Sequence, residues 1–201
     1  MQCKLGIFVF ENVEVLDFAG PYEVFTTASR VHRLIHPSAA EPFSVCTVGR
    51  TGEAVRTRAG LLVQPDFSFA DHPALDVLIV PGGVVTDELA ESSVAHWIQA
   101  TAKSVKFTAA VCTGAFLLAK AGLLDGKAAT THWEDIDDLK SMFPSLKVRT
   151  GLRWVDEGDV VTSAGISAGI DMSLHLVERI AGRELATRTA RQMEFDWTGN
   201  G

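Results

Sequence analysis

The apolar residues of this chain follow two rhythms. Short runs that are almost wholly apolar or β-branched occupy 4–10, 43–49, 76–80, 107–111 and 128–131, and their lack of alternation predicts strands buried on both faces. Between them, apolar positions recur at helical spacing over 21–30, opened by Gly20-Pro21, over 92–103, and over 113–121, closed by Gly122. Thr131 and Glu134 have the spacing of a capping box, which predicts a helix start there. A hairpin is expected over 153–163. After it, Ser167 is the expected cap of a helix that sets Ile170, Leu174, Val177 and Ala181 on one face. Ala186, Ala190, Met193 and Trp197 then mark a last helix, while 31–42 reads as a surface loop. Strand and helix in alternation predict an α/β fold with a mainly parallel central sheet sandwiched by helices.

No Pro/Ser-rich linker or repeat interrupts the 201 residues, so a single domain over 1–201 is expected. A composition of 47% apolar and 21% charged residues suits one sizeable core. No apolar run approaches the roughly 20 residues of a membrane span, and the N-terminus lacks the small-residue site of a secretory signal, so a cytoplasmic location without membrane contact is expected. Cys3, Cys46 and Cys112 are odd in number and lack CxxC or Cys/His spacing, which suggests neither a disulfide framework nor a zinc site. A formal net charge of −7 without a Lys/Arg run argues against nucleic acid as a partner.

Ligands of open parallel sheets bind where the carboxyl ends of strands meet helix N-termini, and three segments fit that place. In Ala110-Val111-Cys112-Thr113-Gly114 an apolar strand runs into a helix, with small residues two positions either side of the cysteine. A strained elbow that exposes a nucleophile requires such neighbours. A helix N-terminus would also favour thiolate, so a Cys112 pKa below the ordinary value is expected. Taken out of that context Cys112 would read as a small buried hydrophobe. In Val80-Pro81-Gly82-Gly83, backbone N–H groups of Gly82 and Gly83 are placed to form an anion hole with that of Thr113, although a plain turn is the more frequent meaning of Pro-Gly-Gly. Asp17, in the loop expected before the first helix, is either a local turn former or a carboxyl kept neutral beside the thiolate as a proton source. His132 follows a strand at the same edge. It is a candidate proton carrier, with a place in the first turn of the capped helix as the blander reading, and Glu134, Asp135, Asp137 and Asp138 read as helix N-terminal acids rather than a metal site.

Together these residues resemble the ThiJ/PfpI family of the class I glutamine amidotransferase-like superfamily. The resemblance runs through Ile7-Phe8-Val9-Phe10, residues 16–21, residues 76–83, Val111-Cys112-Thr113-Gly114, residues 122–133 and residues 163–171. Within that family the Cys-Thr-Gly elbow, an Asp in the first loop and Ala-Thr-Thr-His-Trp are most similar to the isonitrile-hydrating members. The resemblance implies a flavodoxin-like three-layer sandwich, a homodimer, no cofactor, and a hydro-lyase reaction on a small-molecule substrate, in which R–N≡C becomes an N-substituted formamide. It assigns Cys112 as the nucleophile, Asp17 as the acid and Thr113 as the residue that orients Asp17 or the sulfur. Gly165 and Ile166 would line the pocket. Thr113 stands where the protease-like members carry histidine. His132-Trp133-Glu134 follows the elbow too soon to be the glutaminase His-x-Glu pair. Two alternatives come from the same resemblance: the sensor half of an AraC-type regulator, against which the end of the chain at Gly201 counts, and a redox-responsive or aldehyde-detoxifying protein.

Overall fold

A computed structural model describes residues 2–197. The expected single domain extends to Met1 and 198–201, which lie outside that range. The elements run β1 (Cys3–Val9), α1 (Val15–Ile35), β2 (Phe43–Gly49), β3 (Val55–Arg56), β4 (Leu62–Val63), β5 (Phe67–Ser68) and β6 (Val77–Val80). Next come α2 (Thr86–Ala90), α3 (Ser92–Ala102), β7 (Phe107–Val111), α4 (Gly114–Lys120), β8 (Ala128–Ala129) and a 3₁₀ turn (Trp133–Asp135). The chain continues as α5 (Ile136–Met142), β9 (Lys147–Val148), β10 (Trp154–Asp156), β11 (Val160–Ser163), α6 (Ala168–Ala181) and α7 (Arg183–Gln192).

Seven strands form one sheet in the order β10-β11-β7-β6-β1-β2-β5, parallel throughout except for the β10–β11 hairpin. The central strands are apolar without alternation because helices cover both faces: α1, α6 and α7 pack together on one side, α2, α3 and α4 on the other. Leu5, Ile7, Val77, Leu78, Ile79, Ala109, Ala110 and Val111 are all fully buried. This is the sheet sandwiched by helices expected from the alternation of elements and the flavodoxin-like fold that the resemblance implies, and no helix among the described residues is long and apolar enough to cross a membrane.

Several boundaries differ from the sequence reading. Helix α1 begins at Val15 and contains Pro21, which only leaves the Asp17 carbonyl without its usual donor four residues on. Asp17 therefore lies in the first helical turn rather than in a preceding loop. The run 128–131 yields only β8, paired with β9 in a separate small sheet. Its last two residues leave the ladder for other partners: the Thr130 N–H donates to Thr162 Oγ1 and Thr131 Oγ1 donates to the Cys112 carbonyl. That second bond also removes the expected capping box, and His132 caps the 3₁₀ turn instead, its Nδ1 accepting from the Glu134 N–H at 3.4 Å. Ser167 holds the cap position of α6 without a capping bond of its side chain, which accepts from Arg153. Helix α7 stops at Gln192, and Met193 and Trp197 pack on the core from beyond its end. The β3–β4 hairpin and the two-residue β5 lie in a stretch where the sequence offered little periodicity.

Candidate active site

Strand β7 ends at Val111, and Cys112 follows at φ 57°, in the left-handed region that L-residues seldom adopt outside glycine. The strand holds the strain in place. The Cys112 N–H donates to Ser163 O at 3.1 Å, while Cys112 O accepts from Thr131 Oγ1 at 2.9 Å. Gly114 is required two residues later because a Cβ there would collide with the backbone of Val80 and Pro81. The result is the elbow that the small-x-Cys-x-small spacing predicts, with the thiol over the carboxyl end of the sheet and the Thr113 N–H facing the sulfur.

A second wall comes from the loop after β6. Its backbone is stitched to the loop after β1: Glu14 N–H donates to Gly82 O at 2.9 Å, Val84 N–H to Asn12 O at 3.0 Å, and Val13 bridges Gly83. This stitching carries Asp17 to Gly82, whose N–H donates to Asp17 Oδ2 at 3.2 Å. Gly83 N–H donates to Thr113 Oγ1, and Thr113 Oγ1 donates to Gly83 O, both at 2.9 Å. Two expectations change here. Both glycine N–H groups are already engaged, so they do not form an anion hole with Thr113. Thr113 braces the glycine loop and reaches Asp17 only through it.

Asp17 is fully buried, and its Oδ1 has no well-formed hydrogen bond among the described residues. Desolvation raises its pKa to about 7, against hydrogen bonding from Cys112 and Gly82 and with a further push from the Glu14 charge. Burial thus shifts this carboxyl towards its neutral form, the direction expected from the sequence. The thiol behaves otherwise: burial, then the Asp17 charge, push Cys112 up to about 12, overriding the Thr113 N–H. The expected low cysteine pKa is thus corrected. A short helix start does not outweigh removal of sulfur from water beside an acid. Acid and thiol form a coupled pair in which the thiol donates towards the carboxylate. Cys3 and Cys46, half-buried on strands, are pushed up to about 11, mainly by burial, and neither meets an elbow.

Cys112 forms part of the floor of a cleft of about 380 Å³. Gly83, Thr113, His132 and Ile166 line it as expected, whereas Gly82 and Asp17 stand behind the floor. Gly165 faces the neighbouring hollow, where its missing Cβ makes room for the His132 ring. Ile166, at φ 39°, is strained at the rim. The sequence reading missed Glu14, Arg58, Val84, Leu89, Phe116 and Met142 as cleft residues, because they come from elements far apart in the chain that only the tertiary fold brings together.

The chain belongs to the DJ-1/PfpI family. The match covers residues 3–179. Among characterised relatives, the isonitrile hydratase of Pseudomonas putida is 34% identical over 97% of this chain and 79% of that protein. The transcriptional regulator GbdR of Pseudomonas aeruginosa is 31% identical over 96% of this chain, which spans about half (51%) of the regulator's length. Among solved structures, a ThiJ/PfpI family protein from Pseudomonas syringae superposes with a TM-score of 0.85 at 26% identity, covering 98% of this chain and 76% of the other. DJ-1beta of Drosophila melanogaster superposes with a TM-score of 0.81 at 23% identity over 98% and 100% of the two chains, which establishes the shared fold. Both a hydratase and regulators therefore stand among the DJ-1/PfpI relatives of this chain.

Proposed function

We propose that this protein is a cysteine-dependent isonitrile hydratase, a hydro-lyase in which Cys112 is the nucleophile and Asp17 the proton carrier. The observation that carries the reading is the pairing of a strained, cleft-facing thiol with a buried acid that titrates near neutrality. An isonitrile carbon takes up a nucleophile and a proton at the same atom. In the first step the sulfur bonds to that carbon while the thiol proton, relayed by Asp17, is delivered to it, giving the thioimidate R–N=CH–S. Water then adds to the same carbon, nitrogen takes a proton, and the C–S bond breaks. The products are R–NH–CHO and a sulfur that recovers its proton. Water is consumed, no electrons change hands, and no cofactor is called for. Thr113 keeps the glycine loop, and with it Asp17, in register; His132, at the cleft wall, is placed to guide water.

The test is formation of N-substituted formamide from simple isonitriles by the purified protein, its Cys112→Ala variant and its Asp17→Asn variant. The alanine variant is expected to lose turnover while keeping its circular dichroism, and equal rates in both proteins would remove the reading. A ligand-sensing role is the second reading, favoured by the similarity to GbdR across almost the whole of this chain. It predicts saturable small-molecule binding without turnover. Membership of a homodimer, and residence in the cytoplasm, belong to the same proposal and follow from no contact described above.

A further inference from the structure

The walls of the cleft carry a charge pattern that the hydration chemistry does not use. Val84, Val85, Leu89, Phe116, Met142 and Ile166 give the cleft an apolar share of its lining. The same lining carries four carboxylates, Glu14, Glu134, Asp135 and Asp138, against the single guanidinium of Arg58 and the imidazole of His132. Arg58 is matched by Glu14, at 3.7 Å. His132 Nδ1 lies 3.4 Å from Asp135 and 3.7 Å from Glu134, so one imidazole serves two acids. Asp138 makes no ion pair among the described residues. Even with His132 charged, three carboxylates face one cation once the Glu14–Arg58 pair cancels. Crowding is felt within the cluster: burial, then Asp138 and Glu134, raise the Asp135 pKa against the pull of His132.

Resting on the reading of this cleft as the hydratase site, we propose that it selects isonitriles whose substituent carries an ammonium group, and discriminates against carboxylate-bearing ones. The reacting carbon meets Cys112, the methylenes of the substituent pack against the apolar part of the lining, and its cationic end meets Glu134, Asp135 and Asp138. A concave, acid-lined opening concentrates cations and repels anions before any contact with sulfur is made. The competing assignment, an anion held by Arg58 and His132, fails because both groups are already committed to acids.

Charge selection is tested apart from turnover by labelling Cys112, at a pH alkaline enough to populate its thiolate, with methanethiosulfonates of matched size bearing a quaternary ammonium, a neutral or a sulfonate end. The Cys112→Ala protein supplies the background from Cys3 and Cys46. The ammonium reagent is expected to react about tenfold faster than the sulfonate at low salt. The ratio should fall at least threefold when Glu134→Gln and Asp138→Asn are combined; both side chains are exposed, so the fold is not at risk. A ratio near one, a faster anion, a ratio unchanged by the double substitution, or no labelling by the ammonium reagent would each overturn the inference. Matched amino-, alkyl- and carboxy-isonitriles supply the second arm, read as ratios of kcat/KM. Should the reagents discriminate while no isonitrile is hydrated, the hydratase reading fails and the charge selection stands. Should isonitriles be hydrated with no preference for the amine, the hydratase reading stands and the inference falls.

Discussion

Asp17→Asn isolates the cost of holding a carboxyl inside this site. The side chain is fully buried and its pKa is raised from 3.8 to about 7 by desolvation. Between those two values the folded chain keeps a proton that the unfolded chain has released, so stability falls as pH rises through the window. A shift of about three units corresponds to about 4 kcal/mol, all of it lost once Asp17 is ionised in the fold. Asparagine keeps the shape, and its carbonyl oxygen can still accept from the Gly82 N–H. It has no charge to desolvate. Relative to the parent, the variant should therefore gain about 4 kcal/mol of unfolding free energy between roughly pH 4 and pH 8. Urea unfolding of both proteins across this range gives the difference, because titrating groups that do not interact with Asp17 cancel in the subtraction and Cys112 stays protonated throughout it. Parallel curves, or a variant that loses ground as pH rises, would refute the burial argument.

The remaining expectations test neighbouring parts of the same construction. Removing the Asp17 charge takes away the second largest influence on the Cys112 thiol, so in Asp17→Asn its titration, read by thiolate absorbance, should move below about 12 yet stay above an ordinary thiol; an unmoved titration would show the two groups to be uncoupled. Gly82→Ala would put a Cβ 2.6 Å from Thr113 N and Oγ1, at a cost of about 1–3 kcal/mol seen as a lower Tm; an unchanged Tm would show the loop to be looser than described. Thr113→Val deletes two hydrogen bonds to Gly83 and should cost about 1–3 kcal/mol while lowering kcat more than it raises KM. Gly165→Ala displaces the His132 ring and is expected to slow formamide production with little loss of stability; an undiminished rate would exclude His132 from the reaction.

The central strands of the sheet were legible because buried parallel strands leave nearly continuous apolar or β-branched runs, as in 77–80 and 107–111. The elbow was legible for a related reason: Ala110 and Gly114 are small where a side chain would strike the turn. Helix α1 was misplaced because Pro21 has the signature of a helix start and nothing local reveals that the turn after Asn12 has already begun one. The pair at 131 and 134 was misread because the same hydroxyl had a stronger claim from a carbonyl 19 residues away in sequence. The engaged glycine N–H groups were out of reach in the same way, since each bond spans 30 or more residues. A raised thiol pKa needs the depth of burial, which no local pattern contains.

That raised value bears on which reactions suit the site. Acyl transfer builds charge on an oxygen and needs free donors aimed at it, and here Gly82 and Gly83 have already given their N–H groups to Asp17 and Thr113. It also gains from a thiolate formed in advance, whereas desolvation beside Asp17 keeps this sulfur protonated. Addition to an isonitrile asks for something else. One carbon must receive both sulfur and proton, so a sulfur that had lost its proton to solvent would have to wait for another. A thiol that parts with its proton only to a neighbouring carboxylate keeps both components at the reacting atom, and an acid titrating near 7 can take that proton and give it up again at neutral pH. On this argument the pH profile of hydration should fall on the acid side as Asp17 becomes protonated and can no longer accept from sulfur. It should hold level well above pH 8, because the thiol does not ionise there. A rate that instead climbs through the ordinary thiol range would mean that free thiolate is the reactive form and that the proton pair plays no part.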